Sequence, residues 1–237
     1  MSNITAYIGS RNPNSRTYIY TQKILNNLYH KYNIESQMFS PLNLKLNPST
    51  GCKNCFTQGY CPFEANNQDD GDYIKKTIEN SKIFIIATPV HSHNVSVDTK
   101  ILIDRLSYWL HIFKMIGKHI IIIDTAESNG SGFVQDYLKK TFTLMGGQIS
   151  HTVSFINSEY DLSDDLINEC VEKITDIFYD KIDYQVSNKQ EIAYQTLKII
   201  LQDYDPNNFE YKYWKNKNLF KAESLEDWFF NYEKNSN

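Results

Sequence analysis

Ile4-Thr5-Ala6-Tyr7-Ile8-Gly9-Ser10-Arg11-Asn12-Pro13-Asn14-Ser15-Arg16-Thr17 is the stretch on which the fold turns. It reads as a short apolar strand, a glycine, a polar loop and a serine at the start of a helix. Beyond Ser15 the positions Ile19, Ile24, Leu25 and Leu28 recur at helical spacing as far as Tyr32. A strand feeding a helix through such a loop is the first half of a βαβ unit.

The rest of the chain continues the alternation. Strands are expected over 34–39, 83–87, 118–124 and 148–156, and helices over 69–80, 95–113, 132–145 and 163–179. The longest apolar run, Ile120 to Ile123, is a buried strand and far too short to span a membrane. Strands alternating with helices predict an α/β fold with a parallel sheet covered on both faces. Five strands in this rhythm suit the doubly wound order 2-1-3-4-5. The segment 40–68 is irregular and carries three prolines and a cysteine cluster. No internal repeat or low-complexity tract is present.

We divide the chain into a domain over 1–182 and an aromatic-rich, mainly helical extension over 183–237. Helices are expected there over 191–202 and 225–232, with a turn at Asp205-Pro206-Asn207-Asn208. The extension is expected to pack on the core or on a second subunit. Its residues Trp214, Trp228, Phe229 and Phe230 are read as interface packing, with cover for a neighbouring subunit's site as the alternative.

Composition narrows the function. The 237 residues are 41% hydrophobic and 22% charged, the balance of a globular chain. A formal net charge of -4 leaves no basic surplus for a nucleic-acid backbone, so neither nucleic acid nor membrane is expected as a partner. Met1-Ser2-Asn3 runs straight into the first strand without a secretory pattern, and a cytoplasmic protein is expected. Three cysteines fall between positions 52 and 61 while Cys170 stands alone, which does not look like a disulfide framework.

Three loops lie at the carboxyl ends of the strands, where open parallel sheets bind ligands. In the first, hydroxyls of Ser10, Ser15 and Thr17 and the N–H groups of a helix start make a seat for a phosphate, with Arg11 or Arg16 offsetting its charge. It lacks both the dinucleotide fingerprint and the Walker A pattern. The second, Thr88-Pro89-Val90-His91-Ser92-His93-Asn94-Val95-Ser96, is a stiff loop able to present backbone donors to a planar ring. We read Pro89, Val90, His91, Ser92 and Asn94 as ring contacts and His93 as an ordinary polar loop residue. Two histidines at i and i+2 without partners are poor metal spacing. The third loop offers Thr125, Ala126, Glu127, Ser128 and Gly130, where small residues let the backbone approach a ligand closely. The bland alternatives are polar turns ahead of capped helices.

Taken together these residues resemble a family. Gly9-Ser10-Arg11 with Ser15 and Thr17 resembles the phosphate loop of NADPH-dependent FMN reductases. Thr88-Pro89-Val90-His91, Asn94-Val95-Ser96, Lys100 and Ile103-Asp104-Arg105 are similar to that family's ring loop and following helix. Gly51-Cys52, Cys55, Cys61 and Asp69-Asp70 resemble its iron–sulfur flavoprotein branch. The resemblance spans roughly residues 4 to 156, about one domain. It implies a flavodoxin-like fold, non-covalent FMN, hydride uptake from NADPH or NADH, and a homodimer with flavin sites near the interface. The FMN-binding set it implies is the one given above for the three loops.

Two departures stand out. His91 replaces the family's aromatic after Pro-Val. The cluster-binding branch has four cysteines and this segment has three, with Gln58 at the C-x-x-C step after Cys55. A [4Fe–4S] cluster takes four thiolates, so no metal is assigned. The cysteines are read as loop scaffold, with a metal site or a redox dithiol as alternatives.

The expected activity is transfer of hydride from nicotinamide to flavin and onward to a small-molecule acceptor (a quinone, free flavin, nitro or azo compound) or a protein. Such chemistry belongs to the cofactor, and no side chain is assigned as catalytic. The alternatives are an electron-transfer flavoprotein that does not oxidise nicotinamide, and a non-catalytic scaffold.

Overall fold

The computed structural model describes residues 3–233. Strand β1 (Ile4–Ile8) leads through the first loop to α1 (Arg16–Tyr32) and β2 (Ser36–Phe39). Two short helices, α2 (Asn54–Thr57) and α3 (Pro62–Ala65), interrupt the irregular segment before α4 (Gly71–Glu79). Next come β3 (Ile83–His91), β4 (Asn94–Val95), α5 (Val97–Arg105), α6 (Trp109–Ile112) and β5 (His119–Ala126). Helix α7 (Ser131–Leu144), β6 (Gln148–Ile156) and α8 (Ser163–Phe178) complete the alternation.

The main sheet is parallel, in the order β2-β1-β3-β5-β6, with β4 paired only to the end of β3. In order of the five main strands this is the expected 2-1-3-4-5 arrangement, and the fold is flavodoxin-like. The order reverses between β1 and β3, so the loops after these two strands flank the switch point.

Period-two side-chain alternation sorts the strands onto two cores. Ile4, Ala6, Ile8, Ile83, Ile85, Ala87, Ile121 and Ile123 pack with α1 and α8 on one face. Tyr7, Phe84, Ile86, Ile120 and Ile122 face the other, against α4 to α7. Because both faces are covered, the strands read as continuous apolar runs rather than as alternation.

Two differences from the sequence-based expectation concern the functional edge. Strand β3 runs on to His91 and turns back antiparallel into β4, with Val90 opposite Val95 and His91 opposite Asn94. The two turn residues Ser92 and His93 have φ of 50° and 60°, the left-handed pair a two-residue hairpin turn needs. The expected single helix 95–113 is two helices, and Phe113 ends the second with φ of 49°.

The extension folds back onto the second core. Its helices are α9 (Asn188–Gln202), α10 (Phe209–Asn216) and α11 (Leu225–Trp228), followed by a π turn (Phe229–Glu233). Ser187 and Gln190 form a capping box at the start of α9. Tyr194 stacks on Trp214 and donates its hydroxyl to the Leu219 and Ala222 carbonyls. Trp214 donates to the His111 carbonyl and Trp228 to the Lys217 carbonyl, both at 2.7 Å. The interface reading of these tryptophans is therefore corrected: Trp214 and Trp228 are fully buried inside their own chain. Each indole N–H finds a backbone carbonyl there, which removes the polar cost of burial. Phe229 is also buried, and Phe230 remains partly exposed. No helix among the described residues is long and apolar enough to cross a membrane.

Candidate functional site

Ser15 caps α1 in extended conformation and its side chain accepts from the Tyr18 N–H. The Ser10 and Ser15 hydroxyls lie 3.0 Å apart across the first loop. Arg16 and Thr17 open the helix, so their N–H groups have no carbonyl within it to bond. Hydroxyls and free N–H donors thus converge at the positive end of a 17-residue helix.

The loop is fastened on both sides. Ser96 caps α5, accepts from Thr99, and donates to the Gly9 carbonyl at 2.6 Å. Gly9 comes so close to α5 that a Cβ would collide with the Thr99 hydroxyl. On the other side Arg16 donates to the Ala126 carbonyl and the Glu127 carboxylate, at 3.2 and 2.6 Å. The Thr17 and Thr125 hydroxyls bond each other beneath these groups, at 2.5 Å in a buried position. Thr17 and Thr125 therefore join α1 to β5.

Arg11 does not point freely into the loop. Its guanidinium grips the Asp98 carboxylate through Nε and Nη2, at 2.8–3.2 Å. Asp98 was not singled out by sequence reading, though an acidic residue in the first turn of a capped helix is a recognisable signal.

The second and third loops meet. His93 bonds Asn129 at 2.9 Å and stacks on Phe133, with ring centroids 5.4 Å apart. Gly130 has φ of 93° and lies under Val90 and His93, where a Cβ would not fit. His93, read from sequence as a bland loop residue, is thus the hairpin's anchor to the third loop. His91, Ser92 and Asn94 are exposed at the hairpin, and Asn94 bonds the Val95 N–H. Pro89 lies opposite Thr125 at the end of the sheet. Glu127 reaches across to Asn157, and Ser128 is exposed.

Below the third loop Asp124 is fully buried and accepts from Gln135 and Ser154. Burial pushes its carboxyl up despite those bonds.

The cysteine segment lies on the other side of α5. Cys52, Cys55 and Cys61 are all free and line a common cavity of about 340 Å³. The segment is stitched to the core by the acidic pair. Asp69 accepts from Asn47, Gly71 and both Nη atoms of Arg105, while Asp70 accepts from Lys45. Burial opposes ionisation of Asp69, but the guanidinium and the two N–H donors outweigh it and hold the carboxyl below its ordinary range. Among the described residues no group of three or more His, Cys, Asp or Glu is arranged to hold a metal ion. Cys170 is buried among apolar side chains, where burial pushes its thiol up to about 12.

Comparison with known proteins gives a consistent result. A sequence model described as NADPH-dependent FMN reductase matches residues 2–161, more than half of the chain. The chain is 27% identical to the iron–sulfur flavoprotein of Archaeoglobus fulgidus over 179 residues, covering 73% of this chain and 80% of the relative. Among solved structures, RosB bound to 8-demethyl-8-formylriboflavin-5'-phosphate superposes with a TM-score of 0.62 at 13% identity, covering 86% and 88% of the two chains. The apo form of the NADH:FMN oxidoreductase EmoB superposes with a TM-score of 0.54 at 18% identity, covering 80% and 94%.

Proposed function

The chain belongs to the NADPH-dependent FMN reductase family of flavin-dependent oxidoreductases, and from that premise we propose that it binds FMN at the three-loop edge and oxidises NADPH or NADH. The observation that carries this reading is the junction at the switch point. The start of α1, with Ser10 and Ser15, is pinned by Ser96 to the ring loop and by Arg16 to the third loop.

The residues fit the cofactor. Ser10, Ser15 and the N–H groups of Arg16 and Thr17 would hold its phosphate. Arg11 and Arg16 would stand beside it, their charge shared with Asp98 and Glu127. Pro89, Val90, His91, Ser92 and Asn94 would border one edge of the ring, and Ala126 to Gly130 the other. Bound FMN would supply acceptance of hydride and its return to an acceptor. The chain's own part is orientation. The hairpin turn holds Ser92 and His93 in a conformation with little freedom to relax, and the His93–Asn129 bond fixes its distance from the third loop.

The acceptor in this proposal is a quinone, flavin, nitro or azo compound, or a protein. A homodimer and cytoplasmic residence are part of the same reading. Val97 and Phe133 are exposed large apolar side chains at the rim of the site, which supports a second subunit there.

The decisive test is a visible spectrum of the purified chain with an FMN titration of the stripped protein, followed by NADPH and NADH consumption with a quinone. Flavin bands and nucleotide turnover are expected. A yellow protein that consumes neither nucleotide is the electron-transfer alternative. A colourless one that refuses added FMN overturns the proposal.

A further inference from the structure

The cysteine cavity is lined by a residue that the resemblance to the cluster-binding branch did not single out. Ser49, Cys52, Cys55 and Cys61 all lie on its wall. Gln58, the position to which the C-x-x-C step after Cys55 pointed, does not. It caps the end of α2, gives its N–H to the Asn54 carbonyl and is exposed to solvent. The three-residue step instead runs backward, as Ser49-x-x-Cys52-x-x-Cys55.

A buried arginine borders the same cavity. Arg105 from α5 is 4% exposed and forms part of the wall. Its Nη atoms are taken by Asp69, Glu64 and the Asn47 carbonyl, but its buried Nε has no partner.

We propose that Ser49 stands at the fourth corner of a four-ligand cluster cradle, so that this chain presents three thiols and a hydroxyl where a cluster requires four thiolates. The donor set therefore does not fit a [4Fe–4S] cluster held as Cys₄. The chemical misfit lies at one donor, in a segment whose three thiols are not themselves gathered as a metal site among the described residues. A serine hydroxyl is hard and keeps its proton near neutral pH, whereas a thiol is soft and ionises readily. The Ser49 hydroxyl is also engaged locally, accepting the Gly51 N–H at 3.3 Å. The FMN site plays no part in this inference, which stands or falls separately.

The test compares the full chain with S49C, S49A and Q58C. Each is incubated anaerobically with ferrous iron and sulfide, desalted, challenged with a chelator and assayed for iron and acid-labile sulfide. Electron paramagnetic resonance after reduction identifies the cluster independently of flavin colour. S49C is expected to retain at least about threefold more iron and sulfide than wild type, with S49A and Q58C at the wild-type level. Far-UV circular dichroism checks that the variants are folded. Should S49C not fold, an external thiol added to the wild type takes its place and is expected to raise retained iron in the same way. Equal retention in wild type and S49C, a gain in Q58C instead, or no gain under either arm overturns the proposal.

Discussion

The Ser96 hydroxyl donates to the Gly9 carbonyl across the switch point, joining the cap of α5 to the start of the first loop. One side chain thus serves two loops, because it also accepts the Thr99 N–H. The contact works only with glycine at position 9, whose missing Cβ leaves room for Ser96 and Thr99.

Gly9→Ala is therefore expected to lower stability by about 1–3 kcal/mol through overpacking, and to weaken FMN binding by displacing the loop. Urea unfolding of the stripped protein separates the first effect from an FMN titration of the second. A fully stable variant with unchanged affinity would show that the close approach at Gly9 does not constrain the loop.

Ser15→Ala removes a helix cap and a hydroxyl from the proposed phosphate seat. The cap alone is worth about 1 kcal/mol. Loss of a bond to a charged phosphate adds a roughly ten- to hundredfold rise in the FMN dissociation constant. Riboflavin, which lacks the phosphate, should bind wild type and variant alike. Equal losses for riboflavin and FMN would move the phosphate elsewhere.

His119 sets an acid limit on stability. It lies buried at the start of β5, bonded to Ser150 and edge-on to Tyr184. Burial, aided by Lys82 and opposed by Asp180 and Asp183, pushes its imidazole down to about 4. Unfolded, the same ring takes its proton near 6.5. Between those values the unfolded chain binds more protons, so stability falls as the pH drops from about 6.5 to about 4. The loss reaches up to about 3 kcal/mol. Urea midpoints measured across this window should drop more steeply for wild type than for His119→Asn; parallel curves would refute the assignment.

Trp214→Ala should be among the costliest changes in the extension. The ring is fully buried between Tyr194, Phe113 and Phe220, and its N–H satisfies the His111 carbonyl. A loss of about 3–5 kcal/mol is expected, read as a shift of the urea midpoint. A loss below about 1 kcal/mol would mean that the extension is only loosely docked.

The sequence by itself determined the order and type of the main elements. Apolar runs such as Ile120 to Ile123 and the helical spacing of Ile24, Leu25 and Leu28 are local signals, and sheet order follows from handed, short connections. It also brought the three loops to one edge, because in a parallel sheet every strand ends on the same side. Three matters were left to tertiary structure. The hairpin at Ser92-His93 was hidden because it lacks the Gly-containing pair that ordinarily marks a two-residue hairpin turn; the surrounding contacts with Asn129, Phe133 and Gly130 hold it. Trp214 and Trp228 look alike as interface or core residues until carbonyls of their own chain are found for their N–H groups. The resemblance put Gln58 where the cluster-binding branch has its further cysteine, whereas α2 turns that residue outward and leaves Ser49 on the cavity wall. In each case the deciding partner is distant in sequence or depends on where a short helix begins and ends, and periodicity carries neither.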